Sequence, residues 1–330
     1  MSKKDLAIRH EHRQRARRII KRLLTDENFE ITKKIKFGAR YYIAEGFHQN
    51  NRALFKSCIY SRSYDHLTNQ KFSREVLFLG FLRGSKFKIV KQTAPHIYAF
   101  GTKTRAWYIR EYVSGKVQNI NGGNIRFKKE FFTTKSLRWT LDTLFDLHRI
   151  KGHHLPADFK KLLYSPQTLN YLWRFIGPYL DYVEHTLKWK GSGKLIKKQF
   201  DHYAVIYKNT PRVLAHQELY APHVIDVRGQ FKIIDWENVG WASIVKDAVT
   251  VWMRAFQNPR WQHKLHAEFK KHYQSYKPFD DLWTASVLVQ CVFNVIGYHF
   301  YHDKTDFSPM AQFSKKTLKA ILSNTFEGNN

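Results

Sequence analysis

The segment from Leu214 to Gly240 constrains the fold of this chain more than any other part of the sequence. Its centre predicts a β-hairpin, because two apolar runs, at 224–227 and 231–234, lie on either side of a glycine. The turn is assigned to residues 228–230, and Gly229 within it can adopt the positive φ that a tight turn requires. The sequence therefore fixes one supersecondary unit, and its neighbours can be placed relative to it.

Residues that can bind metal or act as acids and bases are predicted to lie at the open end of this hairpin. Counting six residues either way from Gly229 places His223 opposite Asp235, and a loop with His216 and Glu218 leads into the same end. Phosphoryl transfer needs such parts, namely a metal ion that neutralises phosphate charge and a carboxylate that accepts the proton of the attacking hydroxyl. The pattern predicts a metal–phosphate site, with a surface hairpin that carries incidental polar residues as the alternative.

The order of these residues resembles the catalytic core of the aminoglycoside phosphotransferase and choline kinase-like families, which have the protein-kinase-like fold. Those families have the pattern H-G-D-x-x-x-x-N, then a hairpin, then I-D-W/F-E. Here the matching residues are His216, Glu218 and His223, followed by the segment Ile234–Glu237, which contains Asp235. The resemblance implies that Asp235 and His223 bind the metal, and that Glu218, with His216 beside it, is catalytic.

Two functional positions of that family pattern, the catalytic Asp and the metal-binding Asn, are changed here. Glu218 replaces an Asp and His223 replaces an Asn. Glu keeps the carboxylate on a longer side chain, and a misplacement of about 1 Å can cost about 100-fold in rate. Mg²⁺ prefers oxygen ligands to imidazole. The segment Glu218–His223 is also similar to the D-x-Y-x-x-H loop of lipopolysaccharide-core sugar kinases, where a His at this position is compatible with activity.

The first part of the chain supplies the nucleotide-binding elements that the resemblance requires. Alternating apolar residues predict strands between residues 29 and 59, and Lys56 lies on the third of them. By resemblance, Lys56 binds nucleotide phosphates and pairs with Glu75 on the following helix, at 71–82.

A second apolar strand leads into the segment Glu111-Tyr112-Val113, which matches the hinge of the family. The resemblance implies that these three residues bind the adenine edge through backbone groups. The implied cofactors are ATP and Mg²⁺, with Mn²⁺ as an alternative metal.

The implied fold is α+β and two-lobed, of the protein-kinase-like type. Residues 1–24 predict a basic amphipathic helix, residues 25–115 a small antiparallel-sheet N-lobe that ends in the hinge, and residues 116–330 a mainly helical C-lobe with the catalytic loop and the metal-binding hairpin. The implied function is ATP-dependent phosphorylation of a hydroxyl group on a small molecule or a glycolipid sugar.

The charge balance suggests a second class of function. Lys and Arg number 56 against 27 Asp and Glu, a formal net charge of +29, which favours polyanionic partners. The helix at 1–24 suits nucleic acid or an anionic membrane surface, or docks on the rest of the protein with its charges solvated. The alternative is a catalytically weak or inactive kinase-like protein that binds nucleic acid or another polyanion through its basic surface.

Cysteine usage and hydropathy indicate a cytoplasmic protein, with peripheral attachment at the membrane surface as an option. Cys58 and Cys291 are far apart in the sequence, which predicts buried free thiols and no disulfide framework. The longest apolar stretch, at 285–300, contains Gln290 and Asn294 and predicts a buried helix in place of a transmembrane segment.

Overall fold

The computed structural model describes residues 3–120, 126–163, 168–301 and 307–326. The helices are α1 (Lys3–Asp26), α2 (His66–Gly84), α3 (Lys88–Thr93), α4 (Thr134–His148), α5 (Ala157–Lys160), α6 (Leu169–Ile176), α7 (Leu180–Leu187), α8 (Ser192–Asn209), α9 (Lys246–Arg254), α10 (Pro259–His272), α11 (Phe279–Tyr301) and α12 (Phe307–Leu322). The strands are β1 (Phe29–Phe37), β2 (Tyr41–His48), β3 (Asn51–Cys58), β4 (Ile97–Gly101), β5 (Trp107–Glu111), β6 (Lys116–Val117), β7 (Arg212–Ala215), β8 (Val224–Val227), β9 (Gln230–Ile233) and β10 (Gly240–Ser243).

The chain divides into two compact units, which we call the sheet unit and the helical unit. The sheet unit comprises Met1–Gly115, Gly152–Leu163 and Lys232–Val239. The helical unit comprises Lys116–Lys151, Tyr164–Phe231 and Gly240–Asn330. The segment of the sequence that carries the candidate chemistry is therefore shared, with Asp235 in the sheet unit and the loop around Glu218 in the helical unit.

The sheet unit is built on a five-stranded sheet of order β1-β2-β3-β5-β4, in which all neighbouring strands are antiparallel. Apolar residues of α1 recur every four positions, at Ala16, Ile20 and Leu24, and pack in one core cluster with Phe55 and Ile109. Burial of this stripe on the sheet holds α1 in place, because the removal of apolar surface from water is the main force that favours packing.

The opposite face of the sheet carries Lys56. Successive residues of a strand point to opposite faces, so Phe55 faces α1 and Lys56 faces away from it. Helix α2 covers this second face, where Phe72 of the helix packs against Tyr108 of β5 with ring centroids 5.1 Å apart. The N-cap of α2 is Asp65, whose side chain accepts a hydrogen bond from the Thr68 N–H.

The helical unit is organised around α11, which packs against α8, α9 and α12. An 18-residue window within Phe279–Tyr298 of α11 is apolar and long enough to cross a membrane, but 72% of that window is buried inside the structure. Such burial is typical of the core helix of a folded domain. Cys291 on this helix and Cys58 in the sheet unit are both buried free thiols, as predicted.

Two short strand pairings position the candidate loop of the helical unit. Antiparallel pairing of β7 with β10 places Ala215, the residue before His216, opposite Gly240. The β8 to β9 turn differs slightly from the prediction, because Arg228 and Gly229 both have positive φ, at 53° and 83°, and Gln230 already belongs to β9. Two consecutive residues with positive φ match the right-handed twist of a hairpin, which explains the two-residue turn.

Candidate active site

Lys56 is the centre of a charged cluster in the sheet unit. Its Nζ lies 2.7 Å from Glu237 Oε1 and 3.2 Å from Glu75 Oε2. The ammonium also lies over the rings of Tyr41 and Phe72, at 4.6 and 4.5 Å from the ring centroids. The side chain of Lys56 is 11% exposed, so these contacts form largely out of water.

The charge of this lysine is secured by its neighbours. Burial disfavours the ammonium, but the negative charges of Glu75, Glu237 and Asp235, together with the Tyr108 phenol, outweigh that effect and raise the pKa of Lys56 well above its usual value. Lys56 is therefore a cation at neutral pH.

Asp235 adopts an unusual backbone conformation, with φ 65° and ψ 59°. Asp and Asn are the residues other than glycine that tolerate this left-handed region best. The residue that follows, Trp236, is fully buried, donates from Nε1 to the Ile233 carbonyl at 2.9 Å and packs against Phe78 at 4.8 Å between ring centroids. The anchored tryptophan holds the backbone of Asp235 in this conformation.

The carboxylates of Glu75, Asp235 and Glu237 form a cluster that could hold a metal ion. One oxygen of each lies within 4.8 Å of the others. Mg²⁺ and Mn²⁺ prefer oxygen ligands, and carboxylates are their usual protein ligands, so this donor set fits a divalent cation of that type.

Arg74 and Tyr41 fix the position of Glu237. Arg74 is fully buried, and its Nε donates to the Glu237 carbonyl at 3.0 Å while its Nη1 donates to the Leu162 carbonyl at 3.4 Å. The Tyr41 hydroxyl donates to Glu237 Oε2 at 3.1 Å. Burial and the nearby Glu237 carboxylate raise the pKa of Tyr41, so that the phenol stays protonated and remains a donor.

The predicted hinge begins at Glu111, the last residue of β5. The Glu111 carboxylate accepts hydrogen bonds from Lys232 Nζ at 3.0 Å and from the His96 N–H at 3.1 Å. The Arg52 guanidinium stacks over the Tyr112 ring at 4.2 Å. The side chains of Glu111 and Tyr112 are thus held by contacts within the sheet unit.

The loop after β7 is held by Asp247. The carboxylate of this buried residue accepts hydrogen bonds from the backbone N–H groups of His216, at 2.6 Å, and Gln217, at 2.8 Å. Burial raises the pKa of Asp247 to about 6, although the two N–H groups stabilise the charged form. Gln217 has a φ of 69°, which turns the chain between His216 and Glu218.

Both histidines of this loop contact the backbone of Glu218. The Glu218 N–H donates to His216 Nδ1 at 3.3 Å, so this nitrogen is an acceptor and the proton of the neutral ring lies on Nε2. His223 Nδ1 lies 2.7 Å from the Glu218 carbonyl and must donate to it. The two rings therefore fix the backbone of Glu218 from both sides.

The structure assembles the predicted site residues in two sets. The sheet unit holds the residues assigned to the nucleotide, which are Lys56, Glu75, Glu111, Tyr112 and Val113, and the predicted metal ligand Asp235. The helical unit holds the predicted catalytic residues His216 and Glu218 and the second predicted metal ligand, His223.

The contact of Lys56 with Glu237 was not predicted from the sequence. Glu237 is nearer to the ammonium than Glu75 is, at 2.7 Å against 3.2 Å. The only signal for Glu237 was its place at the end of the I-D-W-E segment, which gave no contact because 181 residues separate it from Lys56.

The sequence matches no protein-family model and no curated protein. Solved structures, in contrast, are similar over nearly the whole chain. A thermostable mutant of the aminoglycoside phosphotransferase APH(4)-Ia, in complex with ADP and hygromycin B, aligns with a TM-score of 0.56 at 9% identity, over 93% of this chain and 98% of that one.

Two further structures extend the comparison. The spectinomycin phosphotransferase APH(9)-Ia, with ADP and spectinomycin, has a TM-score of 0.53 at 15% identity and covers 93% of this chain and 96% of its own. The ethanolamine kinase of Plasmodium vivax has a TM-score of 0.51 at 16% identity, and the alignment covers 89% of this chain and 82% of that one. The chain thus has the protein-kinase-like fold of these small-molecule phosphotransferases, and the predicted fold is confirmed.

Proposed function

We propose that this protein is an ATP-dependent phosphotransferase that acts on a hydroxyl group of a small molecule or a glycolipid sugar. The observation that carries the proposal is the buried ammonium of Lys56, in contact with Glu75 and Glu237 and close to the carboxylate of Asp235. A buried cation beside a set of carboxylates offers both parts of a nucleotide–metal site. The similar structures that contain ADP support this interpretation.

In this proposal, Lys56 binds nucleotide phosphates and Glu75 holds the lysine in place. The nucleotide phosphates would contact the Lys56 ammonium in place of Glu237, which contacts it in this structure. Asp235, with oxygen ligands from its carboxylate neighbours, would hold Mg²⁺ or Mn²⁺. A bound metal of this kind neutralises phosphate charge.

The helical unit would supply the acid–base group. Glu218 accepts the proton of the acceptor hydroxyl, while His216 positions it through the contact between its Nδ1 and the Glu218 N–H. His223, whose imidazole suits Mg²⁺ poorly, would contact phosphate or hold the loop through the Glu218 carbonyl. In the sheet unit, the adenine edge would meet the backbone of Glu111, Tyr112 and Val113.

Nucleotide binding is the first test of the proposal. ATP with Mg²⁺ or Mn²⁺, at about 100 times its dissociation constant, is expected to stabilise the protein by about 2.7 kcal/mol. A thermal-shift measurement should show this stabilisation in the wild type and in Asp201→Ala, which removes an exposed carboxylate on α8. It should be lost in Asp235→Ala and on addition of a chelator. Absence of stabilisation with either metal would contradict the proposal.

The basic surface favours a second candidate function, the binding of nucleic acid. Helix α1 and the neighbouring strand β1 expose a set of cations, which are Arg15, Arg17, Arg18, Lys21, Arg22, Lys33, Lys34 and Lys36. Exposed cations that contact a polyanion release its counterions and give an affinity that falls steeply with salt.

This second function predicts a specific salt dependence. We expect the triple variant Arg15→Gln, Arg18→Gln, Arg22→Gln to reduce the slope of log affinity against log salt by about 2 for single-stranded RNA. These side chains are exposed, so the variant keeps the buried stripe of α1 that deletion of the helix would remove. A flat salt dependence in the wild type excludes the function. Stronger binding to anionic vesicles than to RNA would point to peripheral attachment at a cytoplasmic membrane surface.

A further inference from the structure

The helical unit contains a pocket of about 170 Å³, and none of the predicted site residues lines it. Its walls come from α6, α8, α9, α11, β7 and β10, and five of its lining residues are aromatic, among them Tyr171, Phe175 and Trp241. The charged residues of the lining are Arg212 and Lys246, and the described residues place no acidic side chain on its walls. The lining of the pocket is therefore mainly apolar, and its charged groups are cations.

Gln217 connects this pocket to the candidate base. It lines the pocket, directly precedes Glu218, and its backbone is fixed by Asp247 and by a left-handed turn. Its Nε2 is buried and has no hydrogen-bond acceptor among the residues that the structure describes. A buried donor without an acceptor has lost its hydrogen bonds to water without replacement, so an acceptor atom of a ligand at this position would stabilise the site.

The charges of the pocket select against cationic ligands. Burial lowers the pKa of Lys246, although Asp247 and Glu218 act in the opposite direction. Burial also lowers the pKa of Arg212. Both shifts show cations that lack full compensation, so an anionic group would stabilise them and an ammonium would repel them.

The size of the pocket limits the ligand further. A cavity of about 150 Å³ lined by apolar side chains holds one benzene ring. The aromatic walls offer stacking and edge contacts to such a ring. A volume of about 170 Å³ thus suits one ring with small substituents and is too small for a bound oligosaccharide.

On the basis of the proposed phosphotransferase function, we propose that this pocket binds the acceptor, and that the acceptor is an anionic aromatic alcohol of one ring. The ring lies against the aromatic walls, its carboxylate faces Lys246 and Arg212, and a polar oxygen accepts from Gln217 Nε2. In the reaction, the hydroxyl oxygen forms a bond to the γ-phosphorus of ATP, the bond from that phosphorus to the bridging oxygen breaks, ADP leaves, and the hydroxyl proton passes to Glu218.

Three probes that share a benzyl alcohol framework and differ in charge test this assignment. They are 4-(hydroxymethyl)benzoate, benzyl alcohol and 4-(aminomethyl)benzyl alcohol, and their binding is measured by ligand-observed NMR without nucleotide. We expect the benzoate to bind at least about 10-fold more tightly than the other two, since opposite charges attract strongly in a partly buried site. Lys246→Met should lower the affinity for the benzoate about 10-fold and leave that for benzyl alcohol unchanged, whereas Lys246→Arg should retain the preference.

The control Lys197→Met removes an exposed lysine of α8 and should bind all three probes as the wild type does. Equal or tighter binding of the ammonium probe, or an equal loss of all three in Lys246→Met, overturns the assignment. If ATP binds as proposed and the benzoate does not stimulate ADP release, the acceptor is a different compound. If the benzoate binds with the expected preference and ATP does not bind, the pocket binds anionic one-ring ligands as proposed, and the phosphotransferase function is wrong.

Discussion

Replacement of Glu218 by glutamine is expected to lower the rate of phosphoryl transfer by a factor of about 10² to 10⁴ and to leave ATP binding unchanged. The amide has the shape of the carboxylate but accepts no proton from an attacking hydroxyl. The contacts of Glu218 with His216 and His223 use its backbone N–H and carbonyl, so they persist in the variant. The rate is measured as ADP release with a panel of alcohol acceptors, and ATP affinity by thermal shift.

Two further variants sharpen this result. Glu218→Asp keeps the carboxylate on a shorter side chain and is expected to lose about 100-fold or less, since it displaces the group by about 1 Å. Asp201→Asn, which changes an exposed carboxylate on α8, should retain the wild-type rate. Full activity in Glu218→Gln would show that another group accepts the proton.

Replacement of Lys56 by methionine is expected to lower the free energy of unfolding by about 3–5 kcal/mol. The substitution leaves the carboxylates of Glu75 and Glu237 buried without the cation that Lys56 Nζ provides at 3.2 and 2.7 Å. Uncompensated charge in a site of low dielectric constant is costly, and the carboxylates must be protonated to relieve it. Equilibrium urea denaturation measures the difference.

A matched control and a compensating change distinguish this effect from a general loss of positive charge. Lys71 Nζ lies 4.0 Å from Glu237 Oε2 on a side chain that is 36% exposed, so Lys71→Met should cost less than about 1 kcal/mol. The double variant Lys56→Met, Glu237→Gln should recover part of the loss, because one of the unpaired charges is gone. A loss below about 1 kcal/mol in Lys56→Met would mean that the cluster is solvated.

The sign of the pH dependence supplies an independent check. Burial already raises the pKa of Glu75 in the wild type, against the opposing effect of Lys56. Removal of the lysine raises the folded-state pKa of this group further above its unfolded value. The folded variant then binds more protons than the unfolded chain, so its stability falls as pH rises. The loss caused by Lys56→Met should therefore be larger at pH 8 than at pH 5.

The elements of the sheet unit could be predicted from sequence because their signals are local. Alternation of apolar residues around Lys56 indicates a strand whatever the rest of the chain does. The same holds for the apolar face of the helix that carries Glu75, and for the glycine at the turn of the hairpin. Tight turns depend on backbone freedom at one or two positions, and Gly229 has the predicted positive φ.

Contacts within the candidate site could not be predicted in this way. Glu237 was recognised as part of a motif, but its contact with Lys56 depends on how Trp236 is buried and on how Arg74 holds the Glu237 carbonyl. Only the structure shows that Asp247 accepts hydrogen bonds from two backbone N–H groups of the loop after β7. Each of these contacts joins residues distant in sequence.

The sequence alone determined the order of the elements and the residue types available for phosphate, metal and proton chemistry, because periodicity and turn propensity act between near neighbours. The fold followed from the resemblance of that order of residues to a known family. The tertiary structure alone decided which carboxylate lies closest to Lys56. It also decided which donor, at Gln217, is buried without an acceptor among the described residues, and which cations line an aromatic pocket. Those outcomes depend on distances of a few ångströms between segments that only packing brings together, and charge–charge and hydrogen-bond energies change steeply over such distances.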